Sequence, residues 1–377
     1  MKKIFFAALV LAVPPISAHA ESVVVLNSED ASYSIVDRAS RAEIGRLPLG
    51  REPHHVAVTP DGTQVLVAST VTNDLVALDI ATGEQRRVVH DIVDPYQLGF
   101  SSDGKWFVTI AYRLDHIDIY RADGFQLARR IFTSGLPSHL AFDPQSKTVF
   151  VTLQGASRVV ALDLESQTEK WSVEVGKAPA GLVALPDNKR LLVALTGEDA
   201  VLTLDPKDGS LLQRLHTGEG AHNFWPKGDG RYWFLSNRVE GTVSLLDTQD
   251  MRVISTIAVP GGPDCMDITP DGKELWVTQR FLRRVAVVDL GQMKVIGSAR
   301  VGKSPHGVFI LKADAKLPAT LPRPDASLPA SQQGSAITRS PLPPLQGDSP
   351  PAAPLPRDDV SAKPTWLRAI LTKLTAK

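Results

Sequence analysis

Six prolines in this chain of 377 residues recur at a fixed step of 42 residues. They are Pro53, Pro95, Pro137, Pro179, Pro263 and Pro305, and Ala221 occupies the one remaining place in the series. The same step is kept by Asp37, Asp79, Asp163, Asp205, Asp247 and Asp289, with Arg121 in the place between. A constant period over most of a chain indicates a tandem repeat, in which each unit is one supersecondary structure that stacks on its neighbours.

One repeat predicts four short strands. In the segment that starts at Pro53, residues 56–58 are apolar and Thr59-Pro60-Asp61-Gly62 has the composition of a tight turn. Further strands are predicted over 64–69, 74–79 and 84–89, and no helical periodicity is present. A period near 40 residues with four strands per unit is typical of an all-β fold, the β-propeller of four-stranded antiparallel blades.

The ends of the array predict how the ring closes. Six complete units span residues 53–304, and two fragments, 22–52 and 305–312, remain on either side. The first fragment has three strand-like stretches and the second has one, so together they make a seventh blade. A ring that takes strands of its last blade from both termini leaves no sheet edge open at the seam. We therefore predict a seven-bladed β-propeller over residues 21–312.

Two segments carry a family resemblance. They are PHHVAVTPDGTQVLVASTVTNDLVALD at 53–79 and PDCMDITPDGKELWVTQRFLRRVAVVD at 263–289. Their order of proline, apolar strand, Pro-Asp-Gly turn and Val-Thr-containing strand resembles the YVTN family of β-propellers, over about residues 22–312. The resemblance implies the propeller fold, and it implies no single activity because propellers of this type differ widely in function. A distant likeness to the haem domain of cytochrome-type nitrite reductases implies that a bound cofactor is worth testing.

The amino terminus reads as a secretory signal. Lys2 and Lys3 precede an apolar stretch over 4–13, and Ala18-His19-Ala20 is a small-x-small cleavage site. We expect cleavage after Ala20 and a periplasmic or secreted protein. Cys265 is the only cysteine, so no intramolecular disulfide can form.

The carboxyl-terminal region has a different composition. Residues 313–364 are rich in proline and predict a disordered linker. Residues 365–377 place apolar side chains such as Trp366 and Leu367 on one helical face and basic ones on another. This pattern suits a short amphipathic helix that docks on a partner or contacts a membrane surface, and an unfolded tail is the alternative.

The charge balance argues against nucleic acid as a partner. The chain has 41 basic and 41 acidic residues, and loss of the two signal lysines leaves a net charge of about −2. Without a basic surface, the electrostatic attraction that dominates binding to nucleic acid is missing. We expect a monomer that binds a protein or a small anionic ligand.

The residues just after the phased position are predicted to meet at one mouth of the central channel. Around the ring they are His54-His55, Tyr96-Gln97, Ser138-His139, Ala180-Gly181, His222-Asn223, Asp264-Cys265 and His306-Gly307. Five of the nine histidines of the chain fall in these fourteen places. The small pair Ala180-Gly181 is expected to leave room opposite the blades that carry most of the imidazoles.

Two interpretations of these residues remain open. His54, His55, His222, Cys265 and His306 offer ligand atoms for zinc or copper, or an axial ligand for a haem-type cofactor. Alternatively, a histidine after the proline caps backbone groups at the channel mouth, and Cys265 is a small buried residue.

The loops between the second and third strands add basic residues to the same face. They are Arg113, Arg238, Arg280, Arg283 and Arg284. Guanidinium groups beside imidazoles favour an anionic ligand, although exposed arginines are often merely solvated. The aspartates of the opposite turns, such as Asp61 and Asp271, are assigned to turn geometry.

The sequence therefore predicts an exported, non-catalytic binding protein whose site is the channel mouth. The predicted site residues are His54, His55, Tyr96, Gln97, His139, His222, Asn223, Asp264, His306, Arg238 and Arg280. The alternative is a metal- or haem-binding protein, such as a metal carrier or a redox accessory. An enzyme ranks third, because the sequence has no Gly-x-Ser-x-Gly, His-Glu-x-x-His, Walker or Cys-x-x-Cys-His motif.

Overall fold

Seven antiparallel sheets of four strands each make up residues 22–312, the part of the chain that the computed structural model describes. The sheets follow one another as the blades of a ring, and the predicted all-β, seven-bladed propeller is confirmed. The predicted signal peptide over 1–20, the linker over 313–364 and the helix over 365–377 lie outside the described residues.

The strands follow the repeat from blade to blade. Blade 1 begins with β1 (Ser22–Asn27), β2 (Ser32–Asp37) and β3 (Glu43–Pro48). Blade 2 contains β4 (Pro53–Val58), β5 (Gln64–Ser69), β6 (Asp74–Asp79) and β7 (Gln85–Val89). Blade 3 contains β8 (Pro95–Phe100), β9 (Trp106–Ala111), β10 (His116–Arg121) and β11 (Gln126–Phe132). Blade 4 contains β12 (Pro137–Phe142), β13 (Thr148–Leu153), β14 (Arg158–Asp163) and β15 (Thr168–Glu174).

The second half of the ring repeats this arrangement. Blade 5 contains β16 (Pro179–Ala184), β17 (Leu191–Leu195), β18 (Ala200–Leu204) and β19 (Leu211–His216). Blade 6 contains β20 (Ala221–Pro226), β21 (Tyr232–Asn237), β22 (Thr242–Asp247) and β23 (Arg252–Ala258). Blade 7 contains β24 (Pro263–Ile268), β25 (Glu274–Gln279), β26 (Arg284–Asp289) and β27 (Lys294–Arg300), and β28 (Pro305–Ile310) follows. Within 22–312 the only helical element is a 3₁₀ turn over Ser28–Asp30, and no helix there is long and apolar enough to cross a bilayer.

The last strand closes the ring. β28 pairs antiparallel with β1 and becomes the inner strand of blade 1, so the predicted blade shared by the two ends of the array is present. Its backbone is also held by blade 7, because Ile310 donates its N–H to Asp267 Oδ2 at 2.8 Å. Asp267 Oδ1 accepts from the N–H of Ile268 at 2.8 Å, so both carboxylate oxygens are used.

The hydrophobic core is divided into seven clusters, one between each pair of adjacent blades. Alternate residues of one strand pack into different clusters, because successive side chains of a strand point to opposite faces of the sheet. In β1, for example, Val24 packs toward blade 2 and Val25 packs toward blade 7. The middle strands are therefore apolar on both faces, as buried strands are.

The turns on the face away from the channel mouth use their aspartates structurally. Asp61 accepts from the Thr59 hydroxyl at 2.6 Å and from the Thr63 N–H at 3.1 Å. Gly62 follows with a φ of 70°, a value that favours glycine. Asp271 shows the same pattern with Thr269 and Lys273, which agrees with the assignment of these residues to turn geometry.

Candidate functional site at the channel mouth

The inner strand of each blade is its first strand in blades 2 to 7 and β28 in blade 1. Each inner strand begins with a shift in strand register, and this shift decides which side chains reach the channel mouth. In blade 2, Pro53 and Val56 are paired with β5, and between them His54 and His55 together oppose Ala68. The other six inner strands shift register at the equivalent position. A bulge of this kind re-aims a side chain that a regular strand would send to the opposite face. Two consecutive residues of one strand can therefore contribute to one site.

Hydroxyl groups on the second strand stabilise three of these bulges. Thr152, Ser236 and Thr278 accept hydrogen bonds from the N–H groups of His139, Asn223 and Cys265, at 3.0, 3.1 and 3.0 Å. These three residues have no place in the predicted site. Their signal in the sequence is a serine or threonine fifteen residues after the phased position.

Five buried imidazoles meet at the mouth. His54 stacks on His306 with ring centroids 3.7 Å apart, and His55 stands edge-on to His306 at 4.6 Å. The series continues from His55 to His139 at 5.3 Å and from His139 to His222 at 5.2 Å. Rings from blades 1, 2, 4 and 6 thus form one connected group.

A single buried carboxylate lies at the centre of the charged part of the site. Asp264 is fully buried and pairs with Arg238 at 2.7 Å and with Arg280 at 3.2 Å. His306 Nε2 lies 3.3 Å and His222 Nε2 lies 3.6 Å from the same carboxylate. We call these five histidines, Tyr96, Asn223, Asp264, Cys265, Arg238 and Arg280 the mouth cluster.

Burial sets the charge state of the mouth cluster. It is the main cause that lowers the pKa of His55 and of His139 to about 3, and the contributions of neighbouring groups are smaller. Burial, with nearby positive groups, also places the pKa of His54 and of His222 well below the usual value. For Asp264, burial acts to raise the pKa, but the two guanidinium groups and His222 hold it far below its usual range. At neutral pH these four imidazoles are uncharged and the carboxylate is ionised.

Two of the rings have an acceptor beside Nδ1. The Tyr96 carbonyl oxygen, which can only accept, lies 3.0 Å from His55 Nδ1. Thr196 donates its hydroxyl to the Ala221 carbonyl at 2.7 Å, so it faces His222 Nδ1 at 3.4 Å as an acceptor. A proton on Nδ1 of either ring leaves Nε2 bare. The Nε2 atoms of His55 and His222 are buried and have no hydrogen-bond partner within residues 22–312, and His222 Nε2 lies 3.6 Å from the Asp264 carboxylate.

Cys265, His306 and Asp264 are neighbours, but the Cys265 thiol is not an activated nucleophile. Cys265 Sγ is 3.8 Å from His306 Nδ1, and that nitrogen lies 2.9 Å from the His54 carbonyl, to which it donates. Burial and the negative charge of Asp264 raise the pKa of the Cys265 thiol well above its usual value. Cys265 is therefore a protonated thiol at neutral pH, and the thiolate is the reactive form.

Some residues that were predicted for the mouth site make their contacts outside it. Gln97 accepts the N–H of Leu140 through Oε1 and so links blades 3 and 4. Arg113 is paired with Asp94 at 2.8 Å and with Glu52 at 3.1 Å. Two further arginines of the same prediction, Arg283 and Arg284, have no contact with the mouth cluster among the hydrogen bonds and ion pairs found in residues 22–312, where Arg284 bonds Ser298.

The space expected beside Ala180-Gly181 is filled by backbone. A Cβ atom on Gly181 would lie 2.2 Å from the carbonyl oxygen of His222. The expectation of room there is wrong, because the absence of a side chain lets blade 6 approach blade 5 closely. Tyr96, in contrast, has an unpredicted partner, since it stacks on Tyr112 with ring centroids 4.7 Å apart.

Within residues 22–312, two groups have ligand atoms close enough to hold a metal ion. They are His54, His55 and His306, and Asp264, Cys265 and His306, with ligand atoms within 4.8 Å of one another in each group. His222 of the predicted metal set belongs to neither group and lies on the far side of Asp264. The five predicted ligands are therefore not all close enough to one another to bind a single ion.

Comparison with known proteins agrees with this architecture. A family described as the YNCE-like beta-propeller matches residues 3–316. The chain belongs to the YNCE-like β-propeller family. No curated protein matches it.

Solved structures similar to this YNCE-like propeller share its fold at low identity. A functionally unknown protein from Desulfotomaculum acetoxidans is 15% identical with a TM-score of 0.66, covering 78% of this chain and 99% of its own. A putative 6-phosphogluconolactonase from Bacteroides fragilis is 16% identical with a TM-score of 0.61, over 78% and 99%. The dihydro-heme d1 dehydrogenase NirN in complex with DHE is 15% identical with a TM-score of 0.58, over 78% and 76%. At such identities the likeness concerns the fold alone.

Proposed function

We propose that this YNCE-like propeller is a binding protein that holds a small anionic ligand at the mouth cluster. The observation that carries the proposal is the imbalance of buried charge. Arg238 and Arg280 bring two positive charges to a site whose one carboxylate is Asp264. Because the four imidazoles described above are uncharged, one positive charge remains without a counter-charge.

The geometry of Arg238 supports the same ligand class. Its side chain is buried, and its Nε has no hydrogen-bond partner within the described residues. An unpaired buried guanidinium nitrogen is costly, and a carboxylate or phosphate oxygen is its best partner. Arg280 and Asn223 are half-buried and contact the same carboxylate, with the Asn223 amide 3.3 Å from Asp264 Oδ1.

A haem-type cofactor falls within this class. Its carboxylates would pair with Arg238 and Arg280, and the bare Nε2 of His222 has the chemistry of an axial ligand. The complex of NirN with DHE makes haemin a reasonable probe. The proposal involves no bond-making step, and it places the protein in the periplasm or outside the cell, as the signal sequence predicts.

Titration calorimetry and thermal unfolding with citrate, inorganic phosphate and haemin test the proposal. We expect one molecule of at least one of these anions to bind per chain and to raise the unfolding temperature. Arg238→Gln should weaken that binding about 10- to 100-fold, since charged hydrogen bonds contribute about 1.5–3 kcal/mol. The matched control is Arg113→Gln, at a mouth-face arginine already paired with Asp94 and Glu52. Failure of all three anions to bind, or equal binding by both variants, overturns the proposal.

A further inference from the structure

Three electronegative atoms crowd together on the blade 2 side of the mouth cluster. His54 Nδ1 and His55 Nδ1 are 2.8 Å apart. The Tyr96 carbonyl oxygen lies 3.1 Å from the first nitrogen and 3.0 Å from the second. The bulge after Pro53 causes this crowding, because it brings two consecutive imidazoles to one side of the strand.

Protons alone cannot satisfy this triangle. A proton on His54 Nδ1 alone would leave a bare His55 Nδ1 against the Tyr96 carbonyl oxygen at 3.0 Å. A proton on His55 Nδ1 would instead face that oxygen. A bare His54 Nδ1 would then oppose that oxygen at 3.1 Å, with lone pair against lone pair. A protonated His54 Nδ1 would instead set its N–H beside the N–H of His55, with 2.8 Å between the nitrogens. Each arrangement leaves one repulsive contact, and a cation near the triangle relieves it.

A third imidazole completes the ligand set. One ring nitrogen of His306 lies within 4.8 Å of ligand nitrogens of both His54 and His55, and all three residues are buried. The other ring nitrogen of His55, Nε2, is buried and has no hydrogen-bond partner within the described residues. His306 stacks on His54 with 24° between the ring planes, so it must turn about its Cβ–Cγ bond to coordinate.

We infer that His54, His55 and His306 form a binding site for one divalent transition-metal ion of the zinc and copper class. Imidazole ligands select Zn²⁺, Cu²⁺, Co²⁺ or Ni²⁺ over Mg²⁺ and Ca²⁺, which prefer sets of oxygen ligands. Zinc binds imidazole nitrogen at about 2.0–2.1 Å. The Nδ1 atoms of His54 and His55, which are 2.8 Å apart, are close enough for one ion to contact both at this distance.

This metal site does not depend on the anion proposal. The imidazole trio lies on blades 1 and 2, whereas Arg238 is on blade 6 and Arg280 on blade 7. The metal ion alone is the probe, and the anion variant Arg238→Gln should keep metal binding. Loss of anion binding without loss of metal binding, or the reverse, therefore distinguishes the two proposals.

The test uses the full mature chain after chelator treatment and dialysis. We expect one equivalent of Co²⁺ to give visible absorption bands of a low-coordinate site, and Zn²⁺ to displace it. His55→Asn and His306→Asn should each weaken Zn²⁺ binding at least 10-fold. His116→Asn is the matched control, because His116 is a buried histidine of β10 outside the mouth cluster, and this variant should bind Zn²⁺ as the unchanged chain does.

A second measurement keeps the inference testable if the variants unfold. Pulsed electron paramagnetic resonance of the unchanged chain with one equivalent of Cu²⁺ counts the coordinated imidazoles, and we expect three. Absence of stoichiometric binding, coordination by fewer than three imidazoles, or equal loss of binding in His116→Asn overturns the inference.

Discussion

Asp267 gives the sharpest quantitative prediction, because this half-buried carboxylate lies where the last strand joins blade 7. Burial raises its pKa to about 6, and hydrogen bonds from the backbone of Ile310 and Ile268 only partly oppose this. Between about pH 4 and pH 6 the native state keeps a proton that the unfolded chain has released. Stability therefore falls as the pH rises through this window. With 1.36 kcal/mol for each pKa unit, the difference from the usual 3.8 corresponds to about 3 kcal/mol.

Asp267→Asn removes this titration. The amide loses one of the two backbone hydrogen bonds, but that cost is the same at every pH. Urea unfolding at pH 4, 5, 6 and 7, followed by tryptophan fluorescence, should show the variant gaining about 2.4 kcal/mol relative to the unchanged chain from the lowest to the highest pH, because part of the titration lies below pH 4. A difference that stays constant to about 0.5 kcal/mol over this range refutes the reasoning.

Asp61→Asn provides the control for this series. Burial acts to raise the pKa of Asp61, but hydrogen bonds from Thr59 and Thr63 hold it below the usual value. Its proton is therefore released below the window in both states, and the variant should run parallel to the unchanged chain from pH 4 to pH 7.

Three further predictions concern the scaffold and the site. Asp264→Asn leaves two guanidinium groups without their carboxylate and should destabilise the fold by about 3–5 kcal/mol, measured by urea unfolding. Gly181→Ala brings a methyl group against the His222 carbonyl and should cost ~1–3 kcal/mol in the same assay, whereas an unchanged midpoint would contradict the close approach of blades 5 and 6. A chain that ends at Ser304 lacks the inner strand of blade 1 and should lose cooperative thermal unfolding, while one that ends at Lys312 should keep it.

The fold could be predicted almost completely from the sequence, because one constraint is repeated in every unit. The proline that begins six of the seven inner strands and the turn that follows the strand fix the strand boundaries. The second and third strands of blade 2 are accordingly predicted at 64–69 and 74–79, as found. The split blade followed from counting strands on either side of the array. Nothing in these steps required knowledge of side-chain positions.

The site could be predicted only as a list of residues near one mouth. Spacing places His54, His55 and His306 at that mouth. The contact between His54 and His55, however, arises from a bulge that cannot be read from the residue pattern. Asp264 was predicted as one site residue among many, and its central role needs the distances to Arg238 and Arg280. Gln97 shows the opposite case, since its position is equivalent to that of His55 while its side chain bonds the next blade.

The pairing of β28 with β1 affects the order in which the protein can be completed. Blades 2 to 7 each consist of consecutive strands, so each can assemble from a short local stretch of chain. Val25, in contrast, pairs with Val308, near the end of the described chain. The ring is finished only when nearly the whole repeat array has been synthesised, and a product cut short before β28 keeps an open seam. Closure of the ring therefore depends on synthesis as far as Ile310, whereas a ring whose blades were all made of consecutive strands would lack this dependence.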